Sequence, residues 1–152
     1  MSDADAPADG LIVRGVAVRD VPALHRLCEE LGYAPAREGF GDRLMSIVER
    51  GGHAVFVAAG ADDRPVGFVH VFTRHGVELE PCAQLQALVD SEAARRLGAG
   101  ALLMAAAEQW ALAEGLAWVS LYSTTTRAAA HKFYAAQGYD GTRTSTRFDK
   151  KL

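Results

Sequence analysis

Residues 88–103 read LVDSEAARRLGAGALL. An apolar strand ends, a short polar loop carries Arg95 and Arg96, and Gly98 and Gly100 open a helix. The first N–H groups of a helix have no partner within it and point out of its N-terminus. The helix dipole adds positive potential there, worth ~0.3–1 kcal/mol per favourable charge. Glycine lets an anion come close to the backbone, and the arginines bring full charges that pair with phosphate. The segment reads as an anion cradle. Taken alone, it reads equally well as a helix that merely starts with flexible residues. It contains no GxxxxGK[ST] and its spacing is not GxGxxG, which argues against the two common nucleotide loops.

Working outward, the chain changes period around this cradle. Downstream, residues 97–114 predict a helix with Leu102, Leu103, Ala106, Trp110 and Ala113 at 3.6 spacing, stopped by Gly115. A strand over 117–122, a helix over 127–137 stopped by Gly138, and a last strand over 143–149 follow. Upstream, residues 79–80 and 84–90 read as a long strand with Pro81 near its start or at an edge. Residues 54–59 and 66–73 make a hairpin around the turn ADDRP. Before them come a strand over 11–18, a helix over 21–32 capped by Asp20, and a helix over 37–50. The order β-α-α-β-β-β-α-β-α-β is that of a mixed α/β domain with a parallel crossover through the long third helix.

Composition limits the function. With 152 residues, 49% hydrophobic and 23% charged, the chain is long enough for one packed domain. A net charge of −3 argues against a nucleic-acid binder. No apolar run is long enough for a membrane span. The opening MSDADAPADG lacks the basic-then-apolar layout of a signal peptide. Residues 1–10 are therefore expected to be a disordered leader, residues 11–152 the domain, and the location cytoplasmic. Cys28 and Cys82 read as small semi-buried hydrophobes. The five histidines show no metal-ligand spacing, so no metal is expected.

A second informative stretch is RAAAHKFYAAQGY, residues 127–139. Phe133 and Tyr134 are adjacent, so on a helix they face directions about 100° apart. A tyrosine hydroxyl keeps its proton at neutral pH and can act as a general acid; core packing would account for Tyr134 as well. Arg95-x-x-Gly98-x-Gly100 followed 33 residues later by Phe133-Tyr134-x-x-x-Gly138-Tyr139 resembles the GNAT superfamily of acyl-CoA-dependent N-acetyltransferases. LGYAP, VELEP and AHKFYAAQGY resemble its small bacterial members.

The resemblance covers about residues 11–152 and implies a single GNAT-like domain, a mixed central sheet of about 6–7 strands flanked by about 4 helices. It implies acetyl-CoA as cosubstrate. Main-chain groups of Leu88, Val89 and Asp90 would bond the pantetheine arm and the acetyl carbonyl. Arg95, and the amides of Arg96, Leu97, Gly98, Ala99, Gly100 and Ala101, would hold the pyrophosphate. Tyr134 would protonate the departing thiolate. Three positions depart from the family pattern. Asp90 comes one residue early, Arg127 stands where relatives have an asparagine on pantetheine and could pair with a phosphate instead, and Gln84 falls where some members have a glutamate base.

An amine of pKa ~10.4 is free in only about one molecule in 10³ at pH 7, so a proton must be removed before attack. Glu78 and Glu80 are the candidate bases, with His70 and His75 as alternatives. The expected reaction is direct attack on acetyl-CoA by a primary amine of a small molecule, aided by main-chain donors to the oxyanion and by proximity. Alternatives are a protein lysine or N-terminus as acceptor, and a non-catalytic acyl-CoA sensor. Glu29, Glu30, Glu38, Glu78 and Glu80 favour a small cationic acceptor. Neither nucleic acid nor membrane is expected as a partner, and a homodimer is left open.

Overall fold

The chain runs β1 (Ile12–Gly15), α1 (Val21–Glu30), α2 (Phe40–Glu49), β2 (His53–Ala59), β3 (Pro65–Arg74), β4 (Cys82–Asp90), α3 (Glu92–Arg96), α4 (Ala99–Ala113), β5 (Val119–Leu121) and α5 (Ala128–Ala136). These elements come from a computed structural model that describes residues 10–152. The predicted leader therefore lies, except for Gly10, outside the described residues. Two compact units divide the chain, Met1–Leu121 and Tyr122–Leu152.

The first unit holds a sheet in the order β1-β2-β3-β4-β5. The first three pairings are antiparallel and β4 pairs with β5 in parallel, through the α3–α4 crossover. On one face, Val55 and Val57 of β2 stand beside His70 and Phe68 of β3, which stand beside Ala87 and Val89 of β4. Leu24, Leu27 and Cys28 of α1 and Leu44 of α2 close over that face as the core. Val69 and Val71 alternate with these and are fully buried on the other face. There α4 packs against β2, β3 and β4.

Three predicted features differ. The sheet has five strands among the described residues, not six or seven, because residues 143–149 form no strand. That segment has only one large apolar side chain, Phe148, and it is 89% exposed, so the stretch has no face to bury. Among the described residues five α-helices replace the expected four, since the arginine loop contains α3. The buried face of α4 is Ala99, Gly100, Leu103, Met104, Ala107 and Ala111, not the predicted stripe. A helix apolar on nearly every side leaves its orientation to packing, and the small residues let it lie close on the sheet.

Asp20 precedes α1 as predicted, yet its side chain makes no cap bond there. Its carboxylate instead accepts from the Ala17 N–H at 2.8 Å, closing a single 3-10 turn, Val18–Asp20. Both oxygens also accept from Arg14, at 2.7 and 2.9 Å. No helix among the described residues is long and apolar enough to cross a membrane.

Candidate active site

The sheet itself creates an unpaired edge. β3 and β4 pair from Gly67↔Asp90 to His70↔Ala87, after which Val71 faces Leu85. Gln86 is thus the extra residue of a β-bulge. On its other side β4 pairs with β5 only at Ala83, Gln84 and Leu85. Beyond the bulge, residues 86–90 have no strand beside them on that side among the described residues, and such an edge presents alternate N–H and C=O groups. Leu88, Val89 and Asp90, the residues picked out by sequence, lie on it. The bulge itself was not read from the sequence; its one trace is the polar, exposed Gln86 between apolar neighbours.

The same edge leads into the predicted cradle. Ser91 caps α3, its Oγ accepting from the Ala94 N–H at 3.1 Å. Arg95 Nε donates to Asp90 Oδ1 at 3.0 Å, which ties the end of β4 to α3. The Leu97 and Gly98 N–H groups donate to the Ala94 and Arg95 carbonyls, at 3.0 and 3.3 Å. Gly98 has φ +75°, a left-handed conformation that suits glycine, and turns the chain into α4. The first backbone bond of α4 runs from Leu102 N–H to Gly98 O at 3.2 Å. The Ala99, Gly100 and Ala101 N–H groups are therefore the free donors of the predicted set. Arg96 lies exposed beside them in sequence.

On the α1–α2 face of the sheet a cavity of about 170 Å³ opens among Leu24, Cys28, Phe40, Leu44, Ile47 and Phe68, together with Arg43, Val55, His70 and Ala87. Ala87 adjoins the bulge. His70 Nε2 lies 3.1 Å from His53 Nδ1, and the His53 ring stacks on Phe72 at 5.3 Å. Burial, and then the charge of His53, push His70 down to about 4, so its imidazole is neutral at physiological pH. Burial raises the Cys28 thiol, which stays protonated. Phe40 and Ile47 as cavity walls were not foreseen, because an apolar helix face reads as core whether or not it leaves a gap.

The remaining predicted residues are not among those that line the cavity. Glu78 and Glu80 are not on a strand; both are exposed in the segment before Cys82, and neither lines the cavity. Glu29, Glu30 and Glu38 are also exposed and absent from its lining. His75 is exposed. In the second unit, Arg127 precedes α5 and is exposed. Tyr134 lies on α5 with its ring 5.3 Å from Phe133 and 6.3 Å from Tyr139. The helix ends as predicted at Gly138, with the Tyr139 N–H returning to the Tyr134 carbonyl at 3.0 Å. Among the described residues no cluster of three or more His, Cys, Asp or Glu side chains could hold a metal.

Comparison with known proteins agrees with this geometry. The chain is 30% identical over 104 residues to aminoglycoside N(6')-acetyltransferase type 1 of Serratia marcescens, covering 66% of this chain and 71% of that protein. The aminoglycoside 6'-N-acetyltransferase AAC(6')-Ih of Acinetobacter baumannii superposes with a TM-score of 0.81 at 16% identity, over 94% of this chain and 99% of that one. AAC(6')-Iy, solved in complex with CoA, superposes at 0.82 with 19% identity, over 93% and 95%. The Acetyltransferase (GNAT) family model matches residues 21–139. With its sheet opened beside β4 and a helix N-terminus next to that opening, the chain belongs to the GNAT family of acetyltransferases.

Proposed function

We propose that this acetyl-CoA-dependent N-acetyltransferase moves the acetyl group to a primary amine of a small molecule, in the cytoplasm, by direct attack in a ternary complex. The observation that carries the proposal is the open edge of β4 running into the free N–H groups of α4. Pantetheine is a chain of amides and can lie along Leu88, Val89 and Asp90 as a further strand would. The pyrophosphate then meets the Ala99–Ala101 N–H groups, with Arg96 and Arg127 as cationic candidates. Arg95 acts here through Asp90, holding the end of the edge in place. Bonding of the amine nitrogen to the acetyl carbon breaks the C–S bond, and the Tyr134 hydroxyl protonates the thiolate. For the proton leaving the amine the candidates are Glu78 and Glu80, acting through water, with His70 as the alternative that lines the cavity.

A thermal shift with acetyl-CoA, CoA and ATP, followed by thiol release on an amine panel, tests this. A ligand at 100 times its Kd stabilises by about 2.7 kcal/mol, a shift of several degrees. Stabilisation by the CoA species and not by ATP, with thiol release, is the expected result. Stabilisation without release would make the chain a sensor, and no stabilisation would remove the cradle.

Gly67 gives a second test. A Cβ there would stand 3.0 Å from the Val89 carbonyl oxygen and 3.1 Å from Asp90 Cβ. Gly67→Ala is expected to push the end of β4 outward, cost about 1–3 kcal/mol in urea unfolding and weaken CoA binding in a calorimetric titration. Unchanged CoA affinity would separate that end of β4 from the ligand.

A further inference from the structure

We infer that the cavity between α1, α2 and the sheet receives the hydrocarbon or aromatic body of the acceptor, so that the preferred substrate is a primary amine whose only cation is the nitrogen to be acetylated. This rests on the acetyltransferase reading above and narrows its acceptor. The volume, about 170 Å³, is close to the ~150 Å³ of a dry protein cavity that takes up benzene. Most of its walls are aliphatic or aromatic. The part of the lining formed by the cross-strand partners Ala87 and His70 lies next to the bulge, where β4 turns its free edge to the acyl donor.

The charges around the cavity point the same way. None of the lining residues is a carboxylate. Of the groups that could carry charge, His70 on β3 is neutral, Cys28 on α1 is a thiol, and Arg43 on α2 is a cation set 5.6 Å over the Phe40 ring. A second ammonium on the acceptor would lose its hydration without gaining a counter-ion, and it would meet Arg43. The side facing the first nitrogen requires only that it arrive as a free amine, which an apolar setting favours.

The test compares acceptors that differ by one charge, on the full chain with saturating acetyl-CoA. Hexylamine and 1,6-diaminohexane have the same carbon chain; 2-phenylethylamine adds an aromatic body, and kanamycin is the polycation. Thiol release should give hexylamine and 2-phenylethylamine a kcat/KM at least about tenfold above the diamine and kanamycin, a gap of about 1.4 kcal/mol. Arg43→Glu, at an exposed position, should narrow that gap by raising the diamine while leaving the CoA thermal shift unchanged. Kanamycin or the diamine turned over as well as hexylamine, with the CoA shift intact, would overturn the inference and leave the acetyltransferase reading standing. No release from any amine despite the CoA shift would overturn both.

Discussion

Tyr134→Phe is expected to lower kcat by about 100-fold, the lower end of general acid catalysis, and to leave CoA affinity within about twofold. Phenylalanine keeps the ring and so the contacts with Phe133 and Tyr139, both of which are edge-on. What is lost is the hydroxyl, with its proton and whatever hydrogen bonding it provides. The departing group is a thiolate of ordinary basicity, near 8.5 for a free thiol, so its expulsion is assisted by a proton without depending on one absolutely. The change should therefore fall on kcat, with CoA binding, measured by calorimetry, acting as the control. An unchanged kcat would take Tyr134 out of the acid role and return it to packing.

The largest stability effect is expected from Arg14→Ala. Asp20 is 2% exposed and its two oxygens are held by the Arg14 guanidinium in a two-pronged pair. Removing the arginine leaves a buried carboxylate with only the Ala17 N–H, which typically costs about 3–5 kcal/mol. For a chain of this length that is roughly 10 °C in Tm. The second bond of Arg14, to Asp63 at 2.8 Å, adds little because Asp63 is half exposed. The Arg14 hydrogen bonds hold the Asp20 carboxyl below its ordinary value of 3.8. A carboxyl with a depressed folded value adds stability above its unfolded pKa and loses it as pH falls through the folded one. The gap between wild type and Arg14→Ala should thus be constant at neutral pH and shrink below about pH 4. A gap that persists in acid would mean that Arg14 stabilises by packing its stem and not through its charge.

The elements that were legible in the sequence are those with a local cause. Gly138 stops α5, and the hairpin of β2 and β3 turns at ADDRP, because glycine, proline and aspartate act on their own backbone. Asp90, Gly98 and Gly100 marked the strand-to-helix junction for the same reason. Features that depend on a distant partner were not legible. The polar string around Phe148 has strand-like alternation, yet among the described residues no strand pairs with it. Asp20 looks like a helix cap, and only the fold brings Arg14 close enough to claim its carboxylate. Arg95 looks like a phosphate ligand, and its Nε also bonds Asp90. The chemistry of Glu78 and Glu80 suits a base, but nothing local shows which carboxylate faces a cavity. His70 faces the cavity because its neighbours Val55 and Ala87 do, a matter of register between strands.

The strand order follows the chain order, and that has a consequence for how the enzyme assembles. The β2–β3–β4 meander closes through short turns, so its pairing can form early and at small entropic cost. The parallel pairing of β4 with β5 must wait until residues 91–118 have folded into α3 and α4. It then rests on three residue pairs. The boundary of the open edge is thus expected to form after the meander and to exchange its amide hydrogens sooner, while the strand that carries the edge is already locked from the β3 side.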